Sequence, residues 1–75
     1  MKTKPITMRE ARATVAAVEA AARNDDHEAA HFGEDELRER VLHTIATGEI
    51  RPDVVQKLAR IALETSKIAF QRHHT

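Results

Sequence analysis

Met8, Ala11, Val15, Val18 and Ala22 fall at spacings of three, four, three and four. Only a helix gathers such positions on one face, because its 3.6-residue turn realigns every third or fourth side chain. The spacing predicts a helix over about 8–23. Its stripe is mostly small, so another helix can approach it closely. Thr7 and Glu10 supply a capping box at its start: the threonine oxygen accepts from the Glu10 amide, and the Glu10 carboxylate reaches back to Thr7.

The pattern recurs twice. Leu37, Val41, Leu42 and Ile45 predict the apolar face of a second helix over about 26–47, set off by Asn24-Asp25-Asp26. Asp25 with Glu28 reads as a second capping box. Gly33 reads as a kink or break, with Glu34, Asp35 and Glu36 favouring a restart there, since acids stabilise a helix N-terminus. Gly48 ends the helix by taking the left-handed conformation after its last turn. Pro52 suits the first position of a third helix over about 52–71. Val54, Leu58, Ile61, Thr65 and Ile68 form its stripe, and Val55, Ala62, Leu63 and Phe70 widen it.

Two glycines, two prolines and 3% aromatic residues in 75 positions leave little material for strands. The expected fold is all-α: a three-helix domain over 7–72, a flexible arm over 1–6 and a frayed tail over 73–75. Seventeen large apolar side chains lie outside Met1, a thin core of the kind that association with another copy often supplements. A helix apolar around most of its girth is buried from more than one side. Two readings stand for the third helix. It pairs in a homodimer, in an intertwined form if so, through Val54, Leu58, Ile61, Thr65, Ile68 and Phe70; or it is simply central within one chain.

The net charge of zero conceals a basic–acidic–basic arrangement. Residues 1–24 carry +3, residues 25–40 carry −5 and residues 41–75 carry +2. Such a chain neutralises itself on folding or on pairing with a copy, and points to nucleic acid less than a wholly basic domain does. The absence of cysteine excludes disulfides, thiolate nucleophiles and cysteine zinc clusters. No stretch reads as a signal peptide or membrane span, so the default expectation is a cytoplasmic location with no membrane partner.

His27-Glu28-Ala29-Ala30-His31 matches H-E-x-x-H. On a helix the two imidazoles share a face, where they can hold zinc while the glutamate polarises a metal-bound water. His43, His73 or His74 would have to supply a third ligand. A zinc protease also needs a substrate cleft and a second ligand-bearing element, and the chain has room for neither. The competing reading is a polar first turn in which Asp25, Asp26 and Glu28 cap and His31 packs or faces water. No Ser/His/Asp set, glycine-rich phosphate loop or paired-carboxylate site is present. The sequence therefore reads as nonenzymatic, without a cofactor.

Lys2, Lys4, Arg9 and Arg12 form a basic N-terminal arm of a kind that holds phosphates or enters a minor groove. Lys57, Arg60 and Lys67 line one face of the third helix, with Glu64 among them. Phe32 and Phe70 are the only aromatics, too few for a platform that stacks single-stranded bases. Gly48–Arg51 fits the turn of a helix-turn-helix without being specific to it. A ribbon-helix-helix would pair residues 2–7 as a strand, but Pro5 removes a ladder donor there.

Glu28-Ala29-Ala30-His31, Glu34-Asp35, Leu37, Val41-Leu42, Ile45-Ala46 and Gly48, followed by Ala62-Leu63-Glu64-Thr65 and Ile68-Ala69-Phe70-Gln71-Arg72, resemble a group of small helical proteins carried on bacterial plasmids and integrative elements. The resemblance covers 28–72 and leaves the first helix outside. The group's pattern tends to end in aspartate-phenylalanine and then a tryptophan after the arginine; here Ala69-Phe70 and His73 stand instead. The resemblance implies a setting, mobile-element DNA in a bacterium, and no residue-level role. It also implies that His31 and Glu34-Asp35 belong to the second helix's local structure. Two functions are thus expected: a nonenzymatic interaction or accessory protein that contacts itself or another protein, or a DNA-binding accessory protein.

Overall fold

A computed structural model describes residues 5–48 and 50–72 as three α-helices and a short 3-10 turn, with no strand among them. Helix α1 spans Met8–Arg23, α2 His27–Thr47 and α3 Pro52–Glu64, followed by the 3-10 turn Thr65–Lys67.

The capping box forms as expected. The Glu10 amide donates to Thr7 Oγ1 at 3.1 Å, and the Thr7 amide donates to Glu10 Oε1 at 3.2 Å. Ala11, Val15 and Val18 are buried. The turn into α2 differs from expectation. Asp26, not Asp25, is the N-cap, its Oδ1 accepting from the Ala29 amide. Reversing the chain in three residues requires one left-handed position, and Asp25 takes it at φ 57°, which aspartate tolerates better than most residues. Glu28 then falls one position short of closing a box.

Helix α2 runs through Gly33 without a break. The glycine serves a close approach instead: a Cβ built there would lie 2.9 Å from Val18 Cγ2 on α1. The inward line of α2 is Ala30, Glu34, Leu37, Val41 and Thr44, again at spacings of four and three. Two of its members are polar, which hid the line in the sequence. Leu42, expected on the apolar face, is 66% exposed. Gly48 ends the helix in the left-handed conformation, as expected.

The third helix is shorter than its periodicity implied. It stops at Glu64, and Ile68 is already extended. The Thr65 and Ser66 hydroxyls donate back to the Ala62 and Leu63 carbonyls, a local satisfaction that competes with helix continuation. Ile68 still packs against the core in its extended state, so its spacing looked helical.

The core joins Ala11, Val15, Leu37, Val41, Leu58 and Ile61 from all three helices with Ile6 from the lead-in segment. The arm is therefore not wholly loose. Ile6 is 3% exposed, and its amide donates to Thr44 Oγ1 at 2.9 Å. Thr44 in turn donates to the Arg40 carbonyl, so its hydroxyl both donates and accepts, deep in the fold.

Candidate functional site

The HEAAH segment occupies the first turns of α2, and its histidines face separate partners. His27 Nδ1 accepts from the Gln71 amide at 3.0 Å, and its Nε2 lies 4.0 Å from Asp25. His31 Nδ1 lies 3.3 Å from Asp35. His43 is exposed on α2, while His73 and His74 lie outside the described residues. No three His, Cys, Asp or Glu side chains gather to hold a metal ion among the described residues. One histidine of the motif thus anchors the C-terminal segment.

That segment carries a second, stronger anchor. Arg72 donates through Nε to Glu34 Oε1 and through Nη2 to Glu34 Oε2, both at 3.0 Å. Nη2 also meets the Thr65 and Ile68 carbonyls at 2.8 and 3.0 Å, and the guanidinium sits 3.8 Å from the Phe70 ring centroid. A planar guanidinium suits such two-pronged capture of a carboxylate. Glu34 is 2% exposed. The Arg72 contact, then Thr65 and Arg38, hold its carboxyl below the usual carboxylate range against the opposing pull of burial. Glu34 also raises the Arg72 pKa. Glu34 had read as a helix-start acid; its inward register is the signal that shows otherwise.

The third-helix residues expected at a dimer interface are spent within the chain. Leu58, Ile61 and Thr65 are buried in its own core, and Val54 and Ile68 pack against that core. Phe70 lies under Arg72.

The cations divide. Lys2 and Lys4 lie outside the described residues. Arg9 and Arg12 are exposed on α1, and Lys57, Arg60 and Lys67 are exposed along α3 and the turn after it. Arg60 and Lys67 line an open groove of about 610 Å³ between α1 and α3, together with Glu19 and Glu64. Its continuation is lined by Arg23, which sequence reasoning passed over. Arg12, Glu19 and Arg23 follow at seven and four residues and so share one line of α1. Packing thus places Arg23 across the groove from Lys67, with Arg12 on the same line of α1 and Arg9 further round the helix.

Of the two largest exposed aliphatic side chains, Leu42 faces a different groove and Leu63 stands between that groove and this one. Leu42 on α2 and Leu63 on α3, 66% and 63% exposed, flank a cleft of about 290 Å³ whose other walls are Val41, Ile45, Ala59, Ala62 and the stem of Arg38. Phe32, 67% exposed, lines a separate α1–α2 groove with Val18, Gly33, Glu36 and several alanines. Scattered exposed apolar residues are ordinary, but a contiguous apolar cleft marks a contact surface.

No family model, curated protein or solved structure matches this chain. No described helix is long and apolar enough to cross a membrane.

Proposed function

We propose that the chain is a nonenzymatic interaction protein that works through the α2–α3 cleft. The observation that carries this is the pairing of Leu42 with Leu63 across a wall of Val41, Ile45, Ala59, Ala62 and the Arg38 side chain. Covering two such leucines is worth about 1.5–3 kcal/mol each, and neither is needed for the chain's own core. If the sequence's resemblance to small helical proteins of plasmids and integrative elements holds, the activity would belong among the accessory functions of mobile DNA. A photo-reactive residue in place of Leu63 should form protein adducts in the native cell, whereas one at exposed Ala16 should not. Equal labelling at both positions, or none at 63, would count against the cleft.

A second reading, DNA binding, is favoured by Arg23, Arg60 and Lys67, which line the α1–α3 groove, with Arg12 on the same line of α1 as Arg23 and Lys57 exposed on α3. Glu19 and Glu64 dilute the field there, so a phosphate backbone would be held weakly and without base readout. Binding of a labelled duplex should then fall steeply with salt, and Arg12→Ala with Arg60→Ala should weaken it on every sequence. Anisotropy titrations at two salt concentrations decide the matter; absence of binding at low salt removes this reading.

A further inference from the structure

Independently of the α2–α3 cleft, we propose that the α1–α2 groove at Phe32 is a docking surface for a basic amphipathic helix of another protein.

The groove encloses about 390 Å³. Its α1 wall is Ala13, Thr14, Ala17 and Ala21, and its α2 wall is Ala29, Phe32, Gly33 and Glu36. Side chains this small let the backbone of a third helix come close, because interaxial distance follows the size of the residues at the contact. From Ala13 to Ala21 the α1 wall runs about 12 Å, enough to seat two turns of an occupant. Phe32 is exposed beside this wall, where the apolar stripe of an amphipathic helix can cover it. Among the described residues there is no strand edge for an extended peptide to join.

Charge selects the occupant. Glu28 precedes Phe32 by four positions, and Asp35, Glu36 and Glu39 follow it by three, four and seven. On a helix all four stand around the ring, and all four are exposed. Asp35 is shared with His31, whereas Glu28, Glu36 and Glu39 have no ion partner among the described residues. Glu36 is the one charged side chain among the described residues that line the groove itself. Arg9 stands a turn before Ala13, outside that lining, and Arg40 is held by Glu10 at 3.2 Å. The α2 wall is thus acidic and the α1 wall uncharged. An occupant must carry its cations along the one edge that faces α2, which fixes how a helix lies in the groove. The same carboxylates repel a phosphate backbone or an anionic membrane. A two-fold contact between copies centred on Phe32 would set these acids against their own counterparts.

The test is a titration of the full chain followed by nuclear magnetic resonance. The probe is an alanine-rich helical peptide of about 18 residues, with a leucine stripe and lysines along one flank. A second peptide carries glutamate in place of each lysine. The lysine peptide should shift the resonances of Ala17, Phe32, Gly33 and Glu36. The glutamate peptide should bind at least about tenfold more weakly at low salt. Phe32→Ala should keep the helical circular dichroism and weaken the lysine peptide by about tenfold or more, as loss of a central aromatic anchor does. Glu36→Lys with Glu39→Lys should erase the preference for the lysine peptide. Equal binding of the two peptides by the wild type, or a preference that survives those reversals, overturns the proposal. No binding at low salt overturns it too, as do shifts confined to Leu42 and Leu63, which would leave the cleft reading standing. Self-association that Phe32→Ala abolishes in sedimentation equilibrium gives the groove to a second copy and overturns the basic partner.

Discussion

Arg72 grips both oxygens of the Glu34 carboxylate across thirty-eight positions of sequence, with two contacts of 3.0 Å. The grip ties the segment after α3 to the middle of α2 and closes the fold at the end where the Gln71 amide meets His27. Removing one partner of a buried pair costs more than removing both, because the survivor stays desolvated. Arg72→Ala should therefore lower stability by about 2 kcal/mol, read from urea midpoints. Glu34→Leu with Arg72→Leu should recover part of the loss. Single and double variants of equal stability would show the pair to be idle.

Acid should weaken the fold through the same contact. Glu34 titrates below its unfolded value because Arg72 favours the charged form, so its contribution is complete above the unfolded carboxylate pKa and vanishes as pH falls through the lower folded one. Glu10, lowered first by its Thr7 contact and then by Arg40, titrates in the same sense. Thermal melts from neutral pH downward should show stability falling below the ordinary carboxylate range. Glu34→Gln should start lower and fall less steeply; an unchanged slope would remove Glu34 from the account.

Gly33→Ala sets propensity against packing. Alanine gains about 1 kcal/mol over glycine inside a helix. Its Cβ would lie 2.9 Å from Val18 Cγ2, on a stiff, β-branched and buried side chain. Overpacking of this kind costs about 1–3 kcal/mol, so the variant should be no more stable than the wild type, and Val18→Ala should cost less in its presence than alone. A stabilised Gly33→Ala would show that the two helices can part there at little cost.

Thr44→Val should strand the Ile6 amide, which loses its acceptor. An unsatisfied buried N–H costs about 1–3 kcal/mol. The local sign is specific: hydrogen exchange at Ile6 should accelerate more than exchange in the middle of α1. Uniform acceleration would mean a global effect instead.

Signals confined to neighbouring residues were legible in the sequence. The Thr7–Glu10 box, the α1 stripe and the Gly48 stop each depend on positions within a turn or two. What depends on packing was not. A buried glutamate and the arginine that holds it look, in sequence, like two surface charges. Gly33 resembles a helix breaker until α1 lies across it. Leu42 and Leu63 belong to separate stripes, and only the approach of α2 to α3 makes them walls of one cleft. The end of α3 was missed because Ile68 enters the core without being helical.

The distance in sequence between Glu34 and Arg72 also orders events in time. A ribosome adds about 5–20 residues per second, so roughly 2–8 s separate the two side chains during synthesis. Once α2 is complete, an α1–α2 hairpin formed before Arg72 is joined would hold an anion at a position that is dry in the finished fold. The carboxylate must keep its water until the guanidinium emerges, which postpones full closure of the hairpin. Translation can lay out the first two helices, but it is the arrival of the thirty-eighth residue after Glu34 that lets all three lock together.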